Sequence, residues 1–308
     1  MNQLLGDIDL SHYFVYKERF ERDLAKSIER LSPKNRLRDA CEYALMSGGK
    51  RLRAVLILMI ADAIAEKSGV HLDVGPVALS SEYSHTASLI VDDLPCMDDE
   101  SERRDKPCTH LVFGETVTLL ASYALITNGF EKIHENYELM LQSPKPYCDR
   151  AAEVCANLLK ITSSCSGILG ATGGQFIDIF PENFGIDGIF DLIYKKTVTL
   201  FESAFTAGWL FGGGDPSLLG DVKKGAYHFG MAFQIADDIG DIEQDRKSKS
   251  ATNIAIVLGT TKACALYRSK IDLALESIQS LGIASPAIIS VFQMVEKMAE
   301  SNIKKALV

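Results

Sequence analysis

No CxxC pair, no long apolar run and no surplus of positive charge occur in this chain of 308 residues. The seven cysteines (Cys41, Cys96, Cys108, Cys148, Cys155, Cys165 and Cys264) are odd in number, which argues against a disulfide framework or structural zinc site and favours a reducing compartment. Cys41, Cys155 and Cys165 fall in apolar helical patterns and read as small core residues. The net charge of −9 removes nucleic acid as a general partner, but not an anionic small molecule, since local charge can oppose the net. The longest apolar stretch, AVLILMIADAIA, is broken by Asp62 and falls well short of the roughly 20 residues of a spanning helix. MNQLLGDIDLSHYFVYKERF has no basic region leading into an apolar one, so a soluble cytoplasmic protein with no stable membrane insertion is expected. Tandem repeats of roughly 20 to 50 residues are also absent.

What is present is helix. With 47% hydrophobic residues the chain can bury a sizeable core. The periodicity predicts helices over 14–31, from Asn35 to Met46, and over 51–66, 75–93, 115–142, 149–170, 187–211, 216–239, 260–281 and 286–305. Expected breaks fall at Ser47-Gly48-Gly49, Pro107, 143–146, Gly173-Gly174, Pro181 to Gly185 and 212–216. There is no convincing strand and no Pro/Ser linker, so one all-α domain spanning 1–308 is expected. Several helices are apolar nearly all round, as at the centre of a large bundle.

Two acidic clusters follow apolar runs. In QIADDIGDIEQD, Asp237 and Asp241 share a helical face, with Asp238 about 100° round. Like charges there repel, more so in a buried helix, and a divalent cation removes the conflict. An all-oxygen ligand set suits Mg²⁺, which also binds substrate phosphates. In SLIVDDLPCMDD, Asp92 and Asp98 are six residues apart. Pro95 rules out an ideal helix between them, and a kink near Leu94–Cys96 permits the two to meet without demanding it.

Basic groups answer these carboxylates. GGKRLR places Lys50, Arg51 and Arg53 where a helix opens, a setting favourable to anions. His85 lies two turns above Asp92 on roughly the same face, and Arg103 and Arg104 follow with forked donors suited to phosphate. YKKTVTLF contributes Lys196 and Thr197. Carboxylates for Mg²⁺ and cations for phosphate, set among apolar helices, imply a diphosphate substrate with a hydrocarbon tail.

In GGKRLR at 48–53, SLIVDDLPCMDDESERRDKP at 88–107, FGE at 113–115, GGQFIDI at 173–179, KKT at 195–197 and FQIADDIGD at 233–241, the sequence resembles the trans-polyprenyl diphosphate synthases, the enzymes that make farnesyl and geranylgeranyl diphosphate. The likeness runs from about Asn35 to about Leu281. It implies long antiparallel helices around a deep cavity, and a homodimer. It implies Mg²⁺ held by Asp92, Asp98 and Asp237, with Asp238 and Asp241 as outer or water-mediated ligands. An allylic prenyl diphosphate is then held by Arg103, Lys196, Thr197 and Gln234, and isopentenyl diphosphate by Lys50, Arg53, His85 and Arg104. The reaction implied is ionisation of the allylic diphosphate and attack by the double bond of isopentenyl diphosphate, with Asp92, Asp98, Arg103, Lys196 and Asp237 as catalytic groups and no protein nucleophile.

The match departs from the family at Val91, Ala236 and Gly240, and after Asp241, where the segment is short and Ala251 or Thr252 falls near an expected lysine that Lys247 or Lys249 would have to replace. The resemblance implies that product length is set by the residues just upstream of Asp92. Ala87 and Ser88 are small and leave the cavity floor open, favouring geranylgeranyl diphosphate (C20), while Tyr83 one turn further down is the candidate floor for a C15 product. A non-catalytic subunit of a heteromeric synthase is the competing reading, against which both acidic clusters are intact. An aromatic acceptor or head-to-head coupling is opposed by Lys50, Arg53 and His85.

Overall fold

A computed structural model of the chain describes residues 9–181, 185–248 and 252–306. It is all-α apart from one small hairpin. The elements are α1 (Ser11–Glu29), α2 (Arg36–Leu45), α3 (Leu52–Ser68), α4 (Gly75–Asp92), β1 (Glu102–Arg103), β2 (Lys106–Pro107), α5 (Thr109–Phe113), α6 (Glu115–Leu141), α7 (Ala151–Ser166) and α8 (Ala171–Ile179). They continue with α9 (Ile186–Ile193), a π-helical turn (Tyr194–Val198), α10 (Thr199–Phe211), α11 (Leu219–Gly240), α12 (Ile242–Ser248), α13 (Ile254–Leu258), α14 (Thr260–Ser280) and α15 (Pro286–Ala306).

The chain resolves into two compact units. One comprises Phe14–Leu159 with Ala207–Gly213; the other comprises Lys160–Thr206 and Gly214 onward, with the residues up to Tyr13.

In the first unit α3 is buried on nearly every side between Leu52 and Ile64, as a sequence apolar except for Arg53 and Asp62 requires. The α4–α6 pair packs through small residues. Gly129 of α6 lies so near α4 that an added Cβ would be 3.1 Å from Ser84 Oγ, and Ser122 Oγ donates to the Ala87 carbonyl at 3.1 Å. The start of α2 is set by Asn35, whose side chain accepts from the amides of Leu37 and Arg38, a standard N-cap.

In the second unit α11 lies along α14 and α15. Phe229 of α11 contacts Phe201 (ring centroids 5.2 Å), Phe205 (5.8 Å) and Phe292 (5.1 Å), all fully buried. Such edge and tilted contacts add to the area these rings remove from water.

Three sequence expectations need correction. Gly173-Gly174 is not a break but the middle of α8. A Cβ at Gly174 would sit 2.5 Å from the Lys196 amide nitrogen, so glycine serves a close backbone approach there rather than a turn. The region at 101–107 is not strandless: Glu102↔Pro107 and Arg103↔Lys106 pair antiparallel. Finally, 149–170 is not one helix, because α7 ends at Ser166, whereas 187–211 is helical throughout as expected, passing through the π-turn. By length and composition Cys148–Ile179 would pass as a membrane span, a run the sequence reading overlooked, but turns divide it after Ser166.

Cys41 and Cys165 are buried as expected, while Cys155 is half-buried.

Candidate active site

The first acidic cluster sits where α4 ends. Helix geometry fails at Pro95, and the chain turns back: the Leu94 amide donates to Val91 O, Met97 to Leu94 O, and Asp98 to Asp92 O at 2.9 Å. The fully buried Leu94 pins this turn to the core. Two aspartates six apart in sequence are thereby joined through their backbones, with Asp92 half-buried and Asp98 exposed. Asp93 goes the other way. It caps α4, is 1% exposed, and accepts Arg103 Nε at 2.9 Å and Arg103 Nη2 on the same oxygen, Oδ1. The Cys108 thiol beside it is pushed up to about 12 by burial and by the Asp93 charge.

The hairpin β1–β2 separates the two neighbouring arginines. Arg103 turns to Asp93. Arg104 donates to the Gly48 carbonyl and, at 3.4 Å, to Ser47 Oγ. Tyr43 Oη donates to the Pro107 carbonyl at 2.7 Å and Lys106 Nζ to Met46 O at 3.3 Å. Of GGKRLR, Lys50 is exposed, whereas Arg51 is buried, with φ of 52°, and donates to Glu21 (2.8 Å), Glu82 (2.6 Å) and the Leu45 carbonyl (2.6 Å). Arg51 is thus a structural cation that fixes the loop. Arg53 Nη1 lies 3.3 Å from His85 Nε2. Burial, with Arg104 nearby and against the pull of Glu82, brings Arg53 down to about 10. Desolvation, followed by the charges of Arg53, Arg104, Arg51 and Arg103, holds His85 well below its ordinary 6.5, so the ring is neutral at neutral pH.

Upstream of Asp92, Ala87 is fully buried against α6, Ser88 is half-buried with its Oγ donating to His85 O at 2.9 Å, and Tyr83 is fully buried with its hydroxyl 2.8 Å from Ser27 Oγ.

In the second unit the π-turn carries KKT. One extra residue in the helical turn re-aims the side chains after it, a feature common at functional sites. Lys196 pairs with Asp178 of α8, and Thr252 Oγ1 donates to the other oxygen of Asp178 at 3.2 Å. Thr197 Oγ1 donates to Gln234 Oε1 at 2.7 Å, and Gln234 Nε2 to Asp238 Oδ1 at 2.7 Å. Asp238 Oδ2 accepts the Ile254 amide at 2.9 Å, and Asn253 Nδ2 donates to the Asp238 carbonyl at 2.8 Å. Burial pushes Asp238 up to about 7 against these donors. Asp237 is half-buried, and Asp241, just beyond the end of α11, is exposed with its amide donating to Asp237 O at 3.1 Å. Lys249 and Ala251 lie outside the described residues.

Sequence reasoning missed Asp93, Glu82 and Asp178. Each is a carboxylate beside a residue already singled out, and the signal for Asp178 was available in GGQFIDI. Only the fold shows which cation each one faces.

Among the described residues no three His, Cys, Asp or Glu side chains converge to hold an ion unaided. Mg²⁺ is commonly bound by one or two carboxylates together with waters and substrate phosphates, and the backbone-linked Asp92 and Asp98 fit that mode.

An all-helical chain with carboxylate pairs at helix ends and cations beside them has the features of the isoprenoid-synthase class. Residues 34–254 match the family model for polyprenyl synthetase. The chain is 36% identical over 230 residues to a farnesyl diphosphate synthase of Geobacillus stearothermophilus, covering 74% of this chain and 73% of that protein. It is 35% identical over 259 residues to a geranylgeranyl diphosphate synthase of Cyanophora paradoxa, covering 82% and 81%. The crystal structure of an FPP/GFPP synthase from Zymomonas mobilis superposes with a TM-score of 0.79 at 29% identity, covering 92% of this chain and 98% of that one. The chain belongs to the polyprenyl synthetase family and is a prenyltransferase.

Proposed function

We propose that the whole chain works as one synthase domain that condenses isopentenyl diphosphate head-to-tail with an allylic diphosphate and releases geranylgeranyl diphosphate. The observation that carries this reading is the turn that joins Asp92 to Asp98, with Arg103 and Arg104 anchored just behind it. Asp92, Asp98 and Asp237 are the residues that would hold Mg²⁺, which when bound neutralises charge on the departing diphosphate.

Arg103, Lys196, Thr197 and Gln234 orient the allylic diphosphate. As its C–O bond breaks, diphosphate leaves with the electron pair, and fixed cations stabilise the charge that develops. Lys50, Arg53, Arg104 and the neutral His85 hold isopentenyl diphosphate, His85 as a hydrogen-bonding group rather than a charge. The double bond attacks the allylic carbocation, a C–C bond forms, and a proton is lost to the released diphosphate.

The relatives carry both farnesyl and geranylgeranyl names, so chain length rests on this chain's own residues. Ala87 and Ser88 support a C20 product, and Ser88 is the one with an open side. Exposed Leu119, Leu120, Tyr123, Ile126 and Phe130 on α6 support a homodimer. Cysteine usage supports a cytoplasmic, reducing setting.

The test is incubation with Mg²⁺, labelled isopentenyl diphosphate and dimethylallyl, geranyl or farnesyl diphosphate, followed by chromatography of the dephosphorylated products. A dominant C20 alcohol is expected, shortened to C15 in Ser88→Phe. A C15 stop in the wild type moves the floor to Tyr83. No product from any starter overturns the synthase reading.

A further inference from the structure

We propose that Asp93, the second aspartate of the first pair, is a positioning residue: it locks the Arg103 guanidinium in place for the allylic diphosphate and takes no part in metal binding. The inference rests on the function proposed above.

Asp93 is 1% exposed, whereas its neighbour Asp92 is half-buried and Asp98 exposed. A carboxylate so enclosed offers no oxygen to a hydrated cation. Both Arg103 contacts fall on a single oxygen, Oδ1. Of the five N–H groups on the guanidinium, Asp93 takes one from Nε and one from Nη2. Three remain on a side chain that is 36% exposed. An arginine held from behind with its other donors open has lost rotamer freedom before an anion arrives, which lowers the ordering cost of binding it.

The hairpin prevents Arg103 from choosing another partner. Its two connecting residues, Arg104 and Asp105, have φ of 58° and 61°. Positive φ at both central residues defines a type I′ turn, usually built from Asn and Gly. Neither residue here is glycine, so surrounding contacts must hold the turn. On one side Arg104 is fixed to Gly48 O and Tyr43 to Pro107 O; on the other Arg103 is fixed to Asp93. Two arginines adjacent in sequence are thus sent to different anchors.

The test compares Asp93→Asn, Arg103→Lys and Asp92→Asn with the wild type. Both Asp93→Asn and Arg103→Lys are expected to raise KM for the allylic diphosphate about tenfold, the scale of one charge-assisted hydrogen bond. KM for isopentenyl diphosphate and the Mg²⁺ concentration for half-maximal rate stay within about twofold. Independently of turnover, inorganic pyrophosphate is titrated calorimetrically in EDTA. Asp93→Ala and Arg103→Ala each weaken binding, and the double variant binds no worse than Arg103→Ala alone.

The proposal fails if Asp93→Asn moves the Mg²⁺ dependence as Asp92→Asn does. It also fails if both KM values rise together with a fall in Tm, or if the two alanine effects add. If Asp93→Asn does not fold, Arg103→Lys with an unchanged allylic KM overturns it. A wild type that turns over no starter sinks the synthase reading, yet the pyrophosphate cycle still reports on Asp93 and Arg103.

Discussion

The two Asp-Asp pairs are built alike in different units of the chain. In each, the first aspartate is half-buried and the second turns inward to hold a segment that carries other site residues. Asp93 holds the hairpin of Arg103, and Asp238 holds Gln234 and the start of α13. The difference lies in what the inward carboxylate meets. Asp93 meets a guanidinium. Asp238 meets only neutral donors, and its burial pushes it up to about 7. Two adjacent carboxylates can therefore divide their labour, and the local partner decides how the buried one is stabilised.

The most damaging change removes an outward member. Asp92→Ala or Asp237→Ala is expected to lower turnover on the order of 10²–10³-fold, measured as labelled product at saturating Mg²⁺. Equal losses would support the parallel, and a silent Asp237→Ala would break it. Next comes the packing behind Lys196. Gly174→Ala brings a Cβ to within 2.5 Å of the Lys196 amide and should destabilise by about 1–3 kcal/mol, read as a fall in Tm.

The units also respond to pH in opposite senses. His85 is held below 6.5 in the folded state, so below that pH the unfolded chain takes up more protons and stability falls as pH falls. Asp238 is raised from 3.8 to about 7, so the folded state keeps its proton longer and stability falls as pH rises through that window. Urea unfolding from mildly acid to neutral pH should show His85→Gln removing the first slope and Asp238→Asn the second. The smallest effect is Asp105→Gly, which relieves a positive φ of 61° and should stabilise by about 0.5–1 kcal/mol in the same assay.

Much of this was legible in the residues. Apolar periodicity gives the long helices, because burial of one face is a local property of spacing. Asn35 marks its helix start because a cap is satisfied within three residues. The Gly173-Gly174 pair misled, because glycine signals both a turn and a close backbone approach, and only the presence of the Lys196 backbone distinguishes them. The β1–β2 hairpin was hidden because Arg104-Asp105 is not a turn-forming pair by composition. Arg51 read as one more phosphate cation until Glu21 and Glu82, 30 and 31 residues away, proved to be its partners.

By itself, then, the sequence determined the helical class, the family and the inventory of carboxylates and cations, since each depends on residue type and short spacing. Tertiary structure alone decided which member of each Asp-Asp pair faces outward, which arginine goes to which anchor, and which glycines are contacts. Those assignments depend on partners distant in the chain, and burial and charge pairing are fixed only when the fold brings those partners within hydrogen-bonding reach.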